Sequence, residues 1–410
     1  MKMESWPKVP IGDLFKLKQG TYLKPEDMSE SQTDYCAFPV YGANGIIGYS
    51  SRKMYGDRTA LISCRGANCG VVHYTVPNVW ISNNSIACVP KADVDPTFYY
   101  YVLHNTDFGD VITGSAQPQI TITNLSSKEF IRPPLPIQRR IASTLSAYDD
   151  LIENHRKRIA ILEEMARRLY REWFVHFRYP GHEAVPMVES PLGPIPPGWK
   201  ATTLAAVCSG DGGIQTGPFG SQLHESDYSP SGVPVVMPRI LIRFRIDATN
   251  ADHIPEETAQ RLSRHRMLPG DIVYGRRGDI GRRAFISQKY AGWFCGTGCL
   301  RIRPNPGIIC PFYLFNHLGQ DEVLGNIRGR AQGVTLPNLS ASVMESVPIT
   351  VPPRPIQEAF ESAALPMQEL AENLHDQIDI LRRTRDLLLP RLMSGTLSVE
   401  ALATAEAAVP

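Results

Sequence analysis

No Gly-Lys dipeptide occurs in the 410 residues, so a Walker A phosphate loop, whose lysine must follow glycine, is absent. No lysine has Asp or Glu two positions before it, which removes the acidic-x-lysine pair that magnesium-dependent restriction nucleases use to hold metal and polarise phosphate. H-E-x-x-H and G-x-S-x-G are missing as well. The eight cysteines contain no C-x-x-C pair, and the closest spacings are Cys64/Cys69 and Cys295/Cys299. Zinc-ribbon and thioredoxin chemistry therefore lose their ligand pattern, no metal site is expected, and the cysteines read as buried free thiols. Nowhere do 18 apolar residues run together, and the opening MKMESWPKVPIGDLF has no continuous apolar stretch, so the expectation is a cytoplasmic protein, neither inserted in a membrane nor exported. Charge of one sign is lacking too: 42 Lys plus Arg face 41 Asp plus Glu. A wholesale polycation is excluded, and any argument for nucleic-acid binding moves to local patches.

Methyltransferase chemistry fares little better. The Pro-Pro pairs at 133, 196 and 352 follow Arg, Ile and Val, so the Asn/Asp-Pro-Pro-aromatic loop of amino-methyltransferases is missing. Phe294-Cys295-Gly296-Thr297-Gly298 does fit the F-x-G-x-G loop that approaches S-adenosylmethionine. Without a partner catalytic loop it reads better as a glycine-rich turn between short strands.

What is present is a repeat. Pro133-Pro134-Leu135-Pro136-Ile137-Gln138 recurs as Pro352-Pro353-Arg354-Pro355-Ile356-Gln357, an offset of 219. Upstream, Gly114-Ser115-Ala116-Gln117 and Thr123-Asn124-Leu125-Ser126 are echoed by Gly329-Arg330-Ala331-Gln332 and Pro337-Asn338-Leu339-Ser340. Cys64-Arg65-Gly66 resembles Arg276-Arg277-Gly278, and Trp6 resembles Trp199. Two copies of one unit fill the chain. The first part of each has short apolar runs such as Thr59 to Ser63 and Val233 to Met237, broken about every ten residues by Gly, Pro, Asn or Ser. This predicts mixed, strand-rich structure with a few helices such as Pro96 to Leu103 and Pro311 to Leu318.

After each Pro-Ile-Gln the period changes to a 4-3 alternation. Ile141, Leu145, Tyr148, Ile152, Ile159, Leu162 and Leu169 line one seam, with Ala166 and Trp173 in register and His155 as its polar interruption. The offset of 219 gives Phe360, Met367, Leu374, Ile378, Leu381 and Leu388, with Ala364, Ala371 and Leu392 in register and Arg385 as the interruption. Two long helices, the first from about 138 to 176, would satisfy each other as an antiparallel coiled coil. Pro366 is expected to kink or restart the second, and Pro390 to perturb its last turn. The fold class is α+β: two strand-rich domains separated by two long helices, with an internal pseudo-twofold repeat. The boundaries read as 1–135, a central helix at 136–180, a Pro-rich linker at 181–198, a second domain at 199–351, a C-terminal helix at 352–395 and a tail at 396–410.

These features together resemble the specificity subunits of type I restriction-modification enzymes. The resemblance rests on the duplication, the Pro-Leu-Pro-Ile-Gln-Arg-Arg-Ile entry to the central helix, the run Leu162 to Phe174, and the linker ending Ile195-Pro196-Pro197-Gly198-Trp199. It implies a phage-defence subunit without catalysis or cofactor of its own. Each strand-rich domain would be a target recognition domain reading one half of a split double-stranded DNA sequence. The helices would serve as ruler and as docking surface for two methyltransferase subunits and, through them, motor-nuclease subunits. S-adenosylmethionine, ATP and magnesium would belong to those partners. A stand-alone S-adenosylmethionine-dependent DNA methyltransferase using Phe294 to Gly298 is the competing expectation, and a coiled-coil scaffold without DNA specificity a third.

Local charge supports DNA binding unevenly. Residues 1 to 135 hold 12 basic and 12 acidic side chains, whereas 200 to 350 hold 16 and 12. Arg239, Arg243, Arg276, Arg277 and Arg330, together with Gln332, are the candidates in the second domain, since guanidinium forks suit phosphate and guanine. The first domain must use Asn44, Tyr49, Arg65, Asn68, Gln117 and Gln119, amides that can read adenine edges.

Overall fold

The computed structural model describes residues 6–182, 186–210, 212–242, 244–331 and 338–397. The chain divides into two compact units: the chain up to His155 together with the stretch from Asp376 on, and Arg156–His375. Both mix short strands with helix, and each takes one segment from either long helix.

In the first unit Phe15–Gln19, Ser85–Pro90, Ala60–Ser63 and Val72–Tyr74 lie side by side in that order, all antiparallel. Phe38–Gly42 pairs antiparallel with Gly45–Ser50 and parallel with Trp80–Ile81. Lys8–Pro10 closes against Glu129–Ile131. The second unit repeats this plan strand for strand. Ile214–Thr216, Cys299–Ile302, Ile272–Gly275 and Arg283–Phe285 form the four-stranded sheet. Val233–Val236 pairs antiparallel with Asp252–Ile254 and parallel with Phe294–Cys295, and Lys200–Thr203 closes against Pro348–Val351. The hairpin of Leu241–Ile242 with Arg245–Ile246 is an addition to the shared plan.

Register fixes the equivalences more firmly than sequence does. The Asn-Leu-Ser likeness pairs Asn124 with Asn338, but the backbone pairs Gln119 with Asn338. The Ile120 N–H donates to the Cys64 carbonyl and the Leu339 N–H to the Arg276 carbonyl, both at 3.0 Å. Thr121 then caps the helix Ile122–Ser126 as Ser340 caps Ala341–Glu345. These pairs keep the offset of 219 that relates the Pro-Ile-Gln motifs; the apparent match of Asn124 with Asn338 does not.

The Pro-Ile-Gln motif has a physical explanation. Gln138 is buried; its Nε2 donates to the Pro133 carbonyl at 2.8 Å and its Oε1 accepts from the Asp95 N–H at 2.8 Å. Gln357 does the same with the Pro352 carbonyl at 2.7 Å and the Cys310 N–H at 2.7 Å. Asp95 and Cys310 precede the helices Pro96–His104 and Pro311–His317, so each glutamine ties the start of a long helix to the head of a short domain helix. Proline in the first turn costs nothing there, because that N–H has no partner in the helix.

The first long helix spans Leu135–Tyr170 and continues as a π-helical turn, Arg171–Val175; the second runs Arg354–Met393. Against expectation, neither Pro366 nor Pro390 interrupts the second helix. Gly395, with φ of 70°, follows its end, a conformation that glycine adopts without strain. In the first unit Ile141 and Leu145 pack in one cluster with Leu389 and Leu392, and Arg385 pairs with Asp149. In the second, Ala166, Tyr170 and Phe174 pack with Phe360 and Ala364. Early residues of one helix meet late residues of the other, so the segments run antiparallel within each unit.

Ile141, Leu145, Ile152, Ile159, Phe360, Leu374 and Ile378 are buried; Tyr148, Leu162, Leu169, Met367, Leu381 and Leu388 are half-buried. Tyr170 and Leu389, each one residue beyond a seam position, are buried instead of Leu169 and Leu388. A strict 3.5-residue repeat drifts on a straight 3.6-residue helix. Toward the ends of the seam the neighbour is also a domain core: Tyr170 stacks on Tyr313 at 5.6 Å and Phe174 meets it edge-on at 4.7 Å. The buried His155 has an Nδ1 without a hydrogen-bond partner, while Arg385 is half-buried and salt-bridged. All eight cysteines are free thiols, although Cys36 and Cys69 are only half-buried. Among the described residues no helix is long and apolar enough to cross a membrane.

Candidate nucleic-acid interface

At one end of each four-stranded sheet the strand tips and their loops are laced together by backbone bonds. In the first unit the Gly20 N–H donates to the Ser85 carbonyl at 2.9 Å, the Cys64 N–H to Asn84 at 2.8 Å and the Gly66 N–H to Pro118 at 3.1 Å. Thr113 and Gln119 exchange two bonds of 2.9 and 2.8 Å around the loop that carries Gln117. Ser63 Oγ holds the Ala43 carbonyl at 2.8 Å, placing the hairpin turn with Asn44 beside the same tip. Asn44, Arg65, Asn68, Gln117 and Gln119 are thus gathered, all exposed except the half-buried Asn68. Tyr49 is not among them. It is half-buried farther along its strand, where its N–H donates to Ser29 at 2.8 Å.

The second unit builds the same end. The Arg276 N–H donates to the Gly298 carbonyl at 3.0 Å and the Gly217 N–H to Cys299 at 2.9 Å. Arg277 is bridged to Asn338 as Arg65 is to Gln119, and both arginines are exposed. Each is followed by a glycine with positive φ, Gly66 at 79° and Gly278 at 72°, whose Cβ position faces open space. Such a turn is available to glycine at little cost and leaves room for a large ligand to approach.

The remaining arginine candidates divide. Arg276 is buried, with Nε and Nη2 donating to Asn338 Oδ1 at 3.1 and 3.0 Å, so it braces the loop rather than presenting a free fork. Arg239 is exposed but ion-paired with Asp252. Arg330 is exposed and donates to Ser346 Oγ at 2.9 Å. Arg243 and Gln332 lie outside the described residues. Much of the second domain's extra positive charge is internal. Arg283 is 5% exposed, lies between the rings of Phe244 and Phe315 at 4.8 and 5.0 Å, and donates through Nε to the Phe315 carbonyl at 3.1 Å. Burial pushes its pKa down to about 10, which still leaves it charged at neutral pH. Arg303 grips Asp271 with two bonds of 2.7 Å, and Arg301 donates to the Gly212 carbonyl and to Gln215. Sequence reasoning missed Asn338 as the brace for Arg276, and the constant offset of 219 was the available signal.

The F-x-G-x-G run has a packing explanation. A Cβ on Gly296 would lie 2.4 Å from Met237 Sδ and 2.7 Å from the Val236 carbonyl, and one on Gly298 would lie 2.6 Å from Pro238 Cγ. Phe294 and Cys295 are buried in strand pairing, and desolvation raises the Cys295 thiol to about 12, far from a reactive thiolate. The glycines let two backbones touch, and the methyltransferase expectation loses its one motif. Among the described residues no group of three or more His, Cys, Asp or Glu could hold a metal ion.

Comparison with known proteins agrees with this architecture. The chain is 27% identical over 318 residues to the type I restriction enzyme MjaIX specificity subunit of Methanocaldococcus jannaschii, covering 77% of this chain and 72% of that one. It is 20% identical to the MjaVIII specificity subunit of the same organism over 97% of this chain and 94% of the relative. Its fold matches the crystal structure of a type I restriction-modification S subunit from M. genitalium with a TM-score of 0.68 at 18% identity, covering 96% and 98% of the two chains. The family model for the type I restriction modification DNA specificity domain matches residues 3–164 and 262–360. With that model covering more than half of its length, the chain belongs to the type I restriction-modification DNA specificity family, as a non-catalytic specificity subunit.

Proposed function

We propose that each strand-rich domain, within 1–135 and 199–351, reads one half of a bipartite double-stranded DNA target. The long helices, within 136–180 and 352–395, set the distance between the halves and dock two methyltransferase subunits. Motor-nuclease subunits join through those partners, which also hold S-adenosylmethionine, ATP and magnesium. The complex works in the cytoplasm, with the segments 181–198 and 396–410 as linker and tail.

One observation carries the reading: the same nine-strand plan occurs twice, and each copy presents an exposed arginine, Arg65 or Arg277, at the same loop. Arginine suits both the phosphate backbone and the O6/N7 edge of guanine. In the first domain Asn44, Asn68, Gln117 and Gln119 supply amides around it; in the second, the exposed Arg239 and Arg330 are further contacts. Tyr49 and Arg276 take supporting roles, and Arg243 and Gln332 complete the set of contacts.

The test is to replace residues 199–351 by the equivalent domain of a relative, assemble the chain with its methyltransferase subunits and map the methylated sites. One half of the target should change and the other stay. Both halves changing together would overturn the two-reader account. The ruler is tested separately: a heptad inserted into both helices lengthens each by about 10 Å, which should widen the gap by roughly three base pairs.

A further inference from the structure

The two reading ends share a second feature that the charge argument leaves unused. Gly20 and Gly217 are equivalent: each follows the first strand of its four-stranded sheet, and each donates its N–H to the neighbouring strand at 2.9 Å. A Cβ on Gly20 would lie 2.1 Å from the Ser82 carbonyl, and one on Gly217 would lie 1.9 Å from the Gly296 carbonyl. Ser82 and Gly296 are themselves equivalent, each following the strand that pairs parallel with its neighbour. The two chains therefore turn over the same point, locked backbone to backbone. Two residues later each presents an aromatic ring to solvent: Tyr22, 63% exposed, and Phe219, 56% exposed.

An isolated exposed aromatic is ordinary, but the same position in two domains whose surrounding sequence has diverged is not. Neither ring has an aromatic or cationic partner among the described residues. The backbone just before each ring is fixed by the Gly20 N–H to Ser85 and Gly217 N–H to Cys299 bonds, which leaves that part of the chain little conformational entropy to lose on contact. Across the sheet end lies the exposed arginine. Gln19, immediately before Gly20, points its Nε2 at Cys64 Sγ at 3.2 Å, and Cys64 adjoins Arg65. In the second unit the Gly217 N–H bonds to Cys299, which pairs with Gly275, two residues before Arg277.

We propose that Tyr22 and Phe219 are equivalent DNA contacts. Each ring packs against the face of a partly unstacked base, or wedges into a base step, in the half-site read by its own domain. The arginine at the same sheet end as each ring favours an anionic duplex, and an aromatic wedge combined with a basic side chain is the set of groups used by proteins that deform DNA while gripping its backbone. This rests on the two-reader account and goes beyond it, because it assigns a deformation of the duplex to each domain.

The experiment uses the chain assembled with its methyltransferase subunits and a duplex carrying its methylated target, with 2-aminopurine placed singly along each half. Binding should raise fluorescence at one step in each half. Phe219→Ala should abolish the rise only in the half assigned to the second domain, and Tyr22→Ala only in the other. Each should weaken binding to the specific duplex roughly tenfold to a hundredfold, the range for losing one base–aromatic contact, while non-specific binding changes little. Phe219→Tyr and Tyr22→Phe should keep both signals. Unchanged affinity and fluorescence in the alanine variants would overturn the proposal. So would variants that impair assembly with the methyltransferase subunits yet leave the assembled complex binding DNA normally, because the rings would then belong to a protein interface. If replacing 199–351 redirects half of the target while Phe219→Ala has no effect, only the aromatic assignment fails; if that replacement leaves the target intact, the recognition reading itself fails.

Discussion

The two recognition domains have one topology and spend their charge differently. Strand register makes Arg276 the counterpart of Cys64, Arg283 of Val72 and Arg301 of Ala87. Where the first domain buries a thiol or an apolar side chain, the second buries a guanidinium, and its fold supplies the acceptors: Asn338, the Phe315 carbonyl, and the Gly212 carbonyl with Gln215. The second domain's surplus of basic residues is therefore no measure of its DNA-binding surface. What the domains share at the surface is smaller and more telling: one free arginine and one free aromatic at the same sheet end.

The largest expected effect tests the shared frame. Gly217→Ala and Gly20→Ala both drive a methyl into a backbone carbonyl that cannot retreat, and each should destabilise its own domain by about 3 kcal/mol. Thermal unfolding of the full chain checks this, and a harmless substitution at only one of the sites would break the equivalence. Next come the glutamine ties. Gln357→Ala leaves the Cys310 N–H and the Pro352 carbonyl buried without partners, and Gln138→Ala does the same for Asp95 and Pro133, at about 2 kcal/mol each. Replacement by Glu should not restore stability, since a carboxylate cannot donate to the proline carbonyl.

Acid gives a smaller effect confined to the second unit. His317 is half-buried, touching Tyr170 Oη through Nδ1 at 3.1 Å and the Pro348 carbonyl through Nε2 at 3.3 Å, and desolvation pushes its pKa down to about 4. The unfolded chain takes up that proton near pH 6.5 and the folded one only near 4. The contribution is thus complete above pH 6.5 and drains away as the pH falls towards 4. At pH 5 the loss should be roughly 1 to 2 kcal/mol. His265, buried in the same unit and also pushed down to about 4 by desolvation, adds a similar share, so His317→Gln should reduce the dependence in amide exchange read over the second unit by about half and leave the remainder to His265.

Periodicity and repetition made the architecture legible. The 4-3 seam and the offset of 219 gave two long helices and two copies of a strand-rich unit, because helix faces and strand alternation leave direct marks on sequence. The site was less legible. Arg276 and Arg277 are adjacent and chemically identical in sequence, yet one is a brace and the other a free fork. That difference is decided by which side of the strand end faces the core and by Asn338, more than sixty residues away. The rings at Tyr22 and Phe219 escaped because their equivalence runs through glycines whose need is steric and visible only in the backbone. The prolines misled in the opposite sense: Pro366 and Pro390 look like breaks, but the long helix around them continues unbroken.

The most direct measurement of the central claim maps methylated sites for Arg65→Ala and Arg277→Ala in the assembled complex. Both side chains are exposed, so chain stability should change by less than about 0.5 kcal/mol. Each variant should relax the target in a single half, at roughly 1 to 3 kcal/mol of lost discrimination, and the two halves should differ. Relaxation of the same half by both substitutions, or an unaltered target in both, would contradict the account that two equivalent domains each read one half of the DNA.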